Sequence, residues 1–83
     1  MNITLDKLQV NKEGKIINIK NTSNVRRRLL DLGMIKESKI KALYHSPFND
    51  PVAYLIRGTV IALRKEDAKN ILISCVGDND GIN

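Results

Sequence analysis

The chain has 83 residues, 42% hydrophobic and 28% charged, with a formal net charge of +5. That is one small globular domain, and at this length a domain hides only about 60–65% of the surface its unfolded chain exposes. A single cysteine, Cys75, excludes an internal disulfide and a cysteine-built zinc site, so an ordinary apolar core must carry the fold. The charge is uneven. Residues 1–41 hold ten Lys/Arg and four Asp/Glu, whereas residues 42–83 hold four and five. The basic half could meet nucleic acid, acidic lipid or an acidic protein face. No apolar run approaches the ~20 residues of a membrane span. The start, Met1 to Lys7, lacks a secretory pattern, and the lone thiol agrees with a reducing compartment, so a cytoplasmic protein is expected.

In chain order, Asn11-Lys12-Glu13-Gly14 reads as a turn. Lys15 to Lys20 is a β-rich run with Ile17 and Ile19 on one face. Ile16 falls on the other face, so the strand is either partly buried on both sides or bulged. Asn21-Thr22-Ser23-Asn24 is dense in residues that cap helices. Behind it Val25, Leu29 and Leu32 recur at i, i+4 and i+7, one face of a helix. Gly33 stands where a helix ends on a left-handed residue, and Met34 can close that end with an apolar contact. The period then changes to two: Ile40, Ala42 and Tyr44 share a face of a strand over 39–44. Ser46 to Pro51 is a turn-rich loop. A strand over 52–57, with Val52, Tyr54 and Ile56 on one face, reverses at Gly58 into another over 59–64. Lys65 to Asn70 reads as one helical turn, and Ile71 to Val76 as the last strand.

Five short strands with one inserted helix predict a mostly β protein. The expected form is a small SH3-like barrel, its helix over one open end and a helical turn before the last strand. The domain spans 1–76, and the polar stretch 77–83 reads as a flexible tail. The expected core is Ile17, Ile19, Val25, Leu29, Leu32, Ile40, Val52, Tyr54, Ile61, Leu63 and Ile73.

No catalytic constellation is present. His45 is the only histidine, no serine or cysteine is tied to it by a motif, and it reads as a strand-end residue. The five glycines are isolated and form no phosphate-cradling loop. No two side chains sit at the spacing of a His or Cys metal site, and Asp78 and Asp80 would hold a hard cation weakly. No metal or other cofactor is therefore expected. Arg26, Arg27 and Arg28 fan about 100° apart over the outside of the helix. Asp31 can pair with Arg27 or Arg28, for about 0.3–0.5 kcal/mol. The alternative is a basic docking patch. Ala42-Leu43-Tyr44 resembles the start of the peptide-binding motif of signalling SH3 domains. With no Trp, one Phe and two Tyr, the row of aromatics that polyproline binding needs is missing. Phe48, between Pro47 and Asn49 in a polar loop, must either fold back on the core or meet a partner.

Three groups of residues in order carry a family resemblance. They are Arg27-Arg28-Leu29-Leu30-Asp31-Leu32-Gly33-Met34, then Ser46-Pro47-Phe48-Asn49-Asp50-Pro51-Val52-Ala53-Tyr54, then Ile56-Arg57-Gly58 with Ala62-Leu63-Arg64-Lys65-Glu66-Asp67-Ala68. At these spacings the chain resembles ferrous iron transport protein A, the FeoA family, from Thr4 to Ile73. The resemblance implies a cytoplasmic SH3-like barrel without enzyme activity, accessory to FeoB, the membrane GTPase transporter for ferrous iron. It would be peripheral to the membrane through that partner. A related barrel is the C-terminal domain of metal-dependent repressors, but a chain starting at Met1 leaves no room for their helix-turn-helix. Two departures stand out. Lys36 and Glu37 replace a Pro and Gly usual after the Leu-Gly-Met element, so that turn is made without glycine. Asn49 replaces a Gly before Asp-Pro, and Asn is the next best residue at positive φ. The expected partner surface is Arg26, Arg27 and Arg28 with Pro47, Phe48, Asn49 and Asp50. The runner-up function is a basic barrel that binds nucleic acid, or a regulator of the repressor type. The 4% aromatic content argues against nucleic acid, which such barrels stack on aromatic rings.

Overall fold

The structure is a computed structural model and describes residues 1–76. The tail read at 77–83 lies outside the described residues. Six strands form one antiparallel sheet: β1 (Asn2–Thr4), β2 (Glu13–Ile19), β3 (Lys39–His45), β4 (Val52–Ile56), β5 (Thr59–Leu63) and β6 (Ile71–Val76). Their order across the sheet is β1-β6-β2-β3-β4-β5, which leaves β1 and β5 as its two edges. Helix α1 (Ser23–Asp31) joins β2 to β3, a short α2 (Lys65–Ala68) joins β5 to β6, and one 3-10 turn (Leu5–Lys7) follows β1. The count exceeds the expected five because β1 has only three residues and no alternation to reveal it. Glu13 and Gly14, read as a turn, are instead the first residues of β2, which lies between β3 and β6. Gly14 is needed there: a Cβ would come 2.8 Å from Ile73 Cδ1 and 3.0 Å from the Ser74 carbonyl.

The core is aliphatic with one aromatic ring. Leu5, Ile16, Leu29, Met34, Ile40, Ile56, Ile71 and Ile73 are fully buried, and Tyr54 is 1% exposed. Ile19, Ile61 and Leu63 are buried as expected, while Val25 and Val52 are half-buried against the cluster. Two residues of the expected core are displaced. Ile17 is half-buried, and Ile16 takes its place inside, because the β2–β6 register shifts between Ile16 and Asn18. That bulge adds one residue, so Ile16 and Ile19 face the same side three positions apart. Leu32 is 38% exposed, and Met34 fills the interior instead. The helix stops at Asp31, and Gly33, at φ +100°, turns the chain inward. The Gly33 N–H donates to the Leu30 carbonyl at 3.0 Å and the Met34 N–H to the Leu29 carbonyl at 3.0 Å. These are the two bonds of a Schellman end, with Leu29 and Met34 as its apolar contact.

The start of α1 is tied down differently from a simple cap. Thr22 holds the N-cap position without a side-chain bond, and buried Asn21 donates its amide to the Asp67 carbonyl at 3.1 Å. Thus α1 is anchored to α2 at one end and to the core through Leu29 and Met34 at the other.

Candidate docking surface

The loop after β3 is built by its own short side chains. The Ser46 hydroxyl donates to the Asp50 carbonyl at 2.7 Å and accepts the Asp50 N–H at 3.1 Å. The Ser46 N–H reaches the Pro51 carbonyl at 3.1 Å, and the Asn49 N–H the Ser46 carbonyl at 2.8 Å. Asn49 adopts φ +67°, the left-handed turn expected of it. The Asp50 carboxylate then leaves the loop and accepts the backbone N–H of Lys65 at 2.8 Å. A carboxylate there satisfies one of the free N–H groups at the start of α2 and couples the loop to it. Every polar group of this loop that bonds within the protein thus serves to fix its shape. What is left outward is Pro47 and Phe48, and Phe48 is 88% exposed. The ring does not fold back on the core. Tyr44 and His45 precede the loop. Tyr44 is 61% exposed, because a register shift between Ala42 and Tyr44 turns it out of the face it was expected to share. The exposed His45 ends β3, its Nδ1 3.0 Å from the Ser46 carbonyl.

Arg26, Arg27 and Arg28 are exposed on α1. The expected pair with Asp31 is not formed: among the described residues the ion pair is Lys15 with Glu37, at 3.5 Å. Arg26 and Arg27 line a groove of about 310 Å³ with Ser23, Leu30 and Asp31. A second groove, of about 260 Å³, lies between Arg26, Leu30, Lys36, Asn18 and Ile19. Leu30, 44% exposed, is the shared apolar wall of both. The sequence reading missed it, although a residue next to buried Leu29 must turn about 100° away from the core. Leu32 and Ile35 add exposed apolar surface just beyond the helix.

The end of α1 and the Phe48 loop meet opposite ends of β4, whereas the start of α1 and the loop are both tied to α2, through Asn21 to Asp67 and through Asp50 to Lys65. A Cβ on Gly33 would meet the Arg57 side chain, so the C-terminal end of α1 abuts the β4–β5 turn. The Phe48 loop enters β4 from its other end, and a five-residue strand is about 17 Å long. Among the described residues no three His, Cys, Asp or Glu side chains gather as a metal site, and Asp78 and Asp80 lie outside those residues. Among the described residues no helix is long and apolar enough to cross a membrane.

A half-open, six-stranded antiparallel barrel with an inserted helix is an SH3-like fold. A solved zinc complex from Stenotrophomonas maltophilia, described as a prokaryotic SH3 domain protein, superposes with a TM-score of 0.76 at 24% identity, covering 87% of this chain and 89% of that one. Within that class the chain belongs to the FeoA domain family, whose model matches residues 3–75. An FeoA-like protein from Clostridium acetobutylicum, solved by NMR, is 32% identical with a TM-score of 0.84, covering 94% of this chain and 91% of that chain. A Porphyromonas gingivalis protein named as a fusion of Fe(2+) transport protein A and the Fe(2+) transporter FeoB is 28% identical over 75 residues. Those residues are 90% of this chain and 9% of the fusion's length.

Proposed function

We propose that this chain is a cytoplasmic, non-catalytic accessory protein of ferrous iron uptake that docks on the membrane transporter FeoB. The observation that carries the reading is Phe48, 88% exposed on a loop whose own hydrogen bonds hold it in place. A large apolar ring on a pre-shaped loop binds with little ordering cost, which is how interface anchors work. The fusion in the Porphyromonas gingivalis relative supports this partner, since joining two modules in one chain raises their effective concentration for each other. In this reading Phe48 anchors, with Pro47, Asn49 and Asp50 shaping its loop, while Arg26, Arg27 and Arg28 steer association.

The test is binding kinetics of the full chain against the cytoplasmic part of the transporter at two salt concentrations. Phe48→Ala should speed dissociation about tenfold or more while leaving the fold intact by circular dichroism. Changing the three arginines to Glu should slow association, and the deficit should shrink at high salt. Unchanged rates in both variants would move the interface elsewhere on the barrel.

A further inference from the structure

The edge strand β5 has hydrogen-bonding groups that nothing in the fold uses. Strands β4 and β5 pair without interruption from Ile56↔Thr59 to Val52↔Leu63. They are joined by Arg57 and Gly58, both at positive φ, as in a two-residue hairpin turn. In such a hairpin the pair flanking the turn is hydrogen-bonded and bonding alternates beyond it. Thr59, Ile61 and Leu63 therefore bond to β4, and the N–H and C=O groups of Val60 and Ala62 point away from the sheet. Among the described residues no other backbone or side-chain hydrogen bond reaches Val60 or Ala62. Their side chains stand on the solvent face too: Ala62 is exposed and Val60 is 55% exposed.

Natural edges are usually blunted by proline, a bulge, shortness or a central charge. The opposite edge, β1, is only three residues long. Thr59 to Leu63 has none of these guards inside the strand. Its charges stand at the ends: exposed Arg57 before it and exposed Arg64 after it. Farther along, Lys65 and Lys69 are offset by Glu66 and Asp67, and the Asp50 carboxylate is held on the Lys65 backbone N–H, so the cations that flank the strand itself are Arg57 and Arg64.

We infer that the β5 edge is a strand-addition site for an extended segment that is acidic at both ends and carries alternating small apolar side chains. Such a segment would complete the ladder at Val60 and Ala62, lay its apolar side chains beside theirs, and place a carboxylate near Arg57 and another near Arg64. A second copy of this chain fits less well. The antiparallel register that uses Gly58, Val60, Ala62 and Arg64 of both copies is centred on Ile61. It sets Arg64 of each copy against the Arg57–Gly58 turn of the other, gathering like charges at both ends of the seam. This site does not use Phe48 and does not rest on the transporter reading, and either can fail alone.

The test uses the isotopically labelled full chain and an eight-residue peptide with two acidic residues at each end and alternating Val and Thr between. The expected result is that the Val60 and Ala62 amides shift and exchange more slowly on titration. A peptide with lysines at its ends should bind at least about tenfold more weakly. Ala62→Pro removes only an outward N–H, which an edge strand tolerates, and should cut affinity by a similar factor. Should that variant fail to fold, the charge reversal Arg57→Glu with Arg64→Glu serves instead and should reverse the preference between the two peptides. No binding, shifts confined to other strands, or equal affinity for both peptides would overturn the proposal. Sedimentation that shows a dimer with Val60 and Ala62 already protected would also overturn it, in favour of the second copy.

Discussion

Replacing Gly33 by Ala tests the joint on which the helix depends. Gly33 sits at φ +100°, outside the left-handed well at about +50 to +70° that other residues reach with strain. A side chain in that region costs roughly 1–2 kcal/mol, and this angle belongs at the upper end. The new Cβ would also stand 3.2 Å from Cδ of Arg57, a flexible side chain that needs to yield by only a few tenths of an ångström. That contact adds about 0.5 kcal/mol at most. The total, about 2 kcal/mol, comes out of the roughly 4–12 kcal/mol expected for a domain this size. With a urea slope near about 1 kcal/mol/M, the midpoint should fall by about 2 M. Urea melts followed by circular dichroism measure it, with Gly33→Ala repeated in an Arg57→Ala background. Most of the loss should persist there, because the backbone angle causes it. Coincident melts for the parent and Gly33→Ala would refute the account of the helix end. A loss that vanishes in the Arg57→Ala background would assign the effect to crowding alone.

Leu29→Ala removes a fully buried side chain at the same joint and should cost about 2–5 kcal/mol in the same melts. Glu37→Gly should do the reverse. Glu37 is held at φ +72°, and its ion pair with Lys15 is exposed and worth less than about 1 kcal/mol, so relief of strain should raise the thermal midpoint by a few degrees. Tyr54 is buried with Asp6 and Asp50 nearby, and desolvation first, then those charges, push its pKa up to about 12 from 10.0. The folded chain keeps the phenolic proton that the unfolded chain releases, so stability is whole below about pH 10 and falls towards pH 12 by up to about 3 kcal/mol. Tyr54→Phe should flatten that part of a stability-against-pH curve. Anaerobic calorimetry with ferrous iron should find no sub-micromolar site in the chain, and a stoichiometric one would overturn the reading of its ligands.

The fold was legible wherever a local signal and a tertiary demand agreed. Val25 and Leu29 marked the inner face of α1, Gly33 and Met34 marked its end, and Gly58 marked the hairpin. What escaped was set by pairing between distant strands. The β3 bulge that turns Tyr44 outward leaves no mark in the pattern, whereas Ile16, off the face of Ile17 and Ile19, leaves a bulge in β2 as one of two readings, without showing that Ile16 replaces Ile17 inside. The 3-residue β1 exists because β6 offers it a partner, with Asn2 opposite Ser74. Leu32 was misplaced for a different reason: helical periodicity was extended one step past Asp31, where the backbone has already left the helix.

The candidate site shows where sequence reasoning stops. A phenylalanine in a polar loop has two outcomes, inward or outward, and composition does not choose between them. The choice is made by the loop's neighbours. Ser46 bonds Asp50 twice, and the Asp50 carboxylate reaches Lys65, fifteen residues away. Once those bonds set the backbone, Phe48 stays exposed whatever its hydrophobicity would favour. The arginines, too, are placed by contacts between distant segments. Sequence order puts both in the FeoA pattern, but the Gly33–Arg57 contact brings the end of α1 to one end of β4 while the loop enters from the other. The start of α1 is tied to α2 through Asn21 and Asp67, and the loop is tied to α2 through Asp50 and Lys65, so one partner can engage both, the charged arginines acting on association and the ring of Phe48 on dissociation.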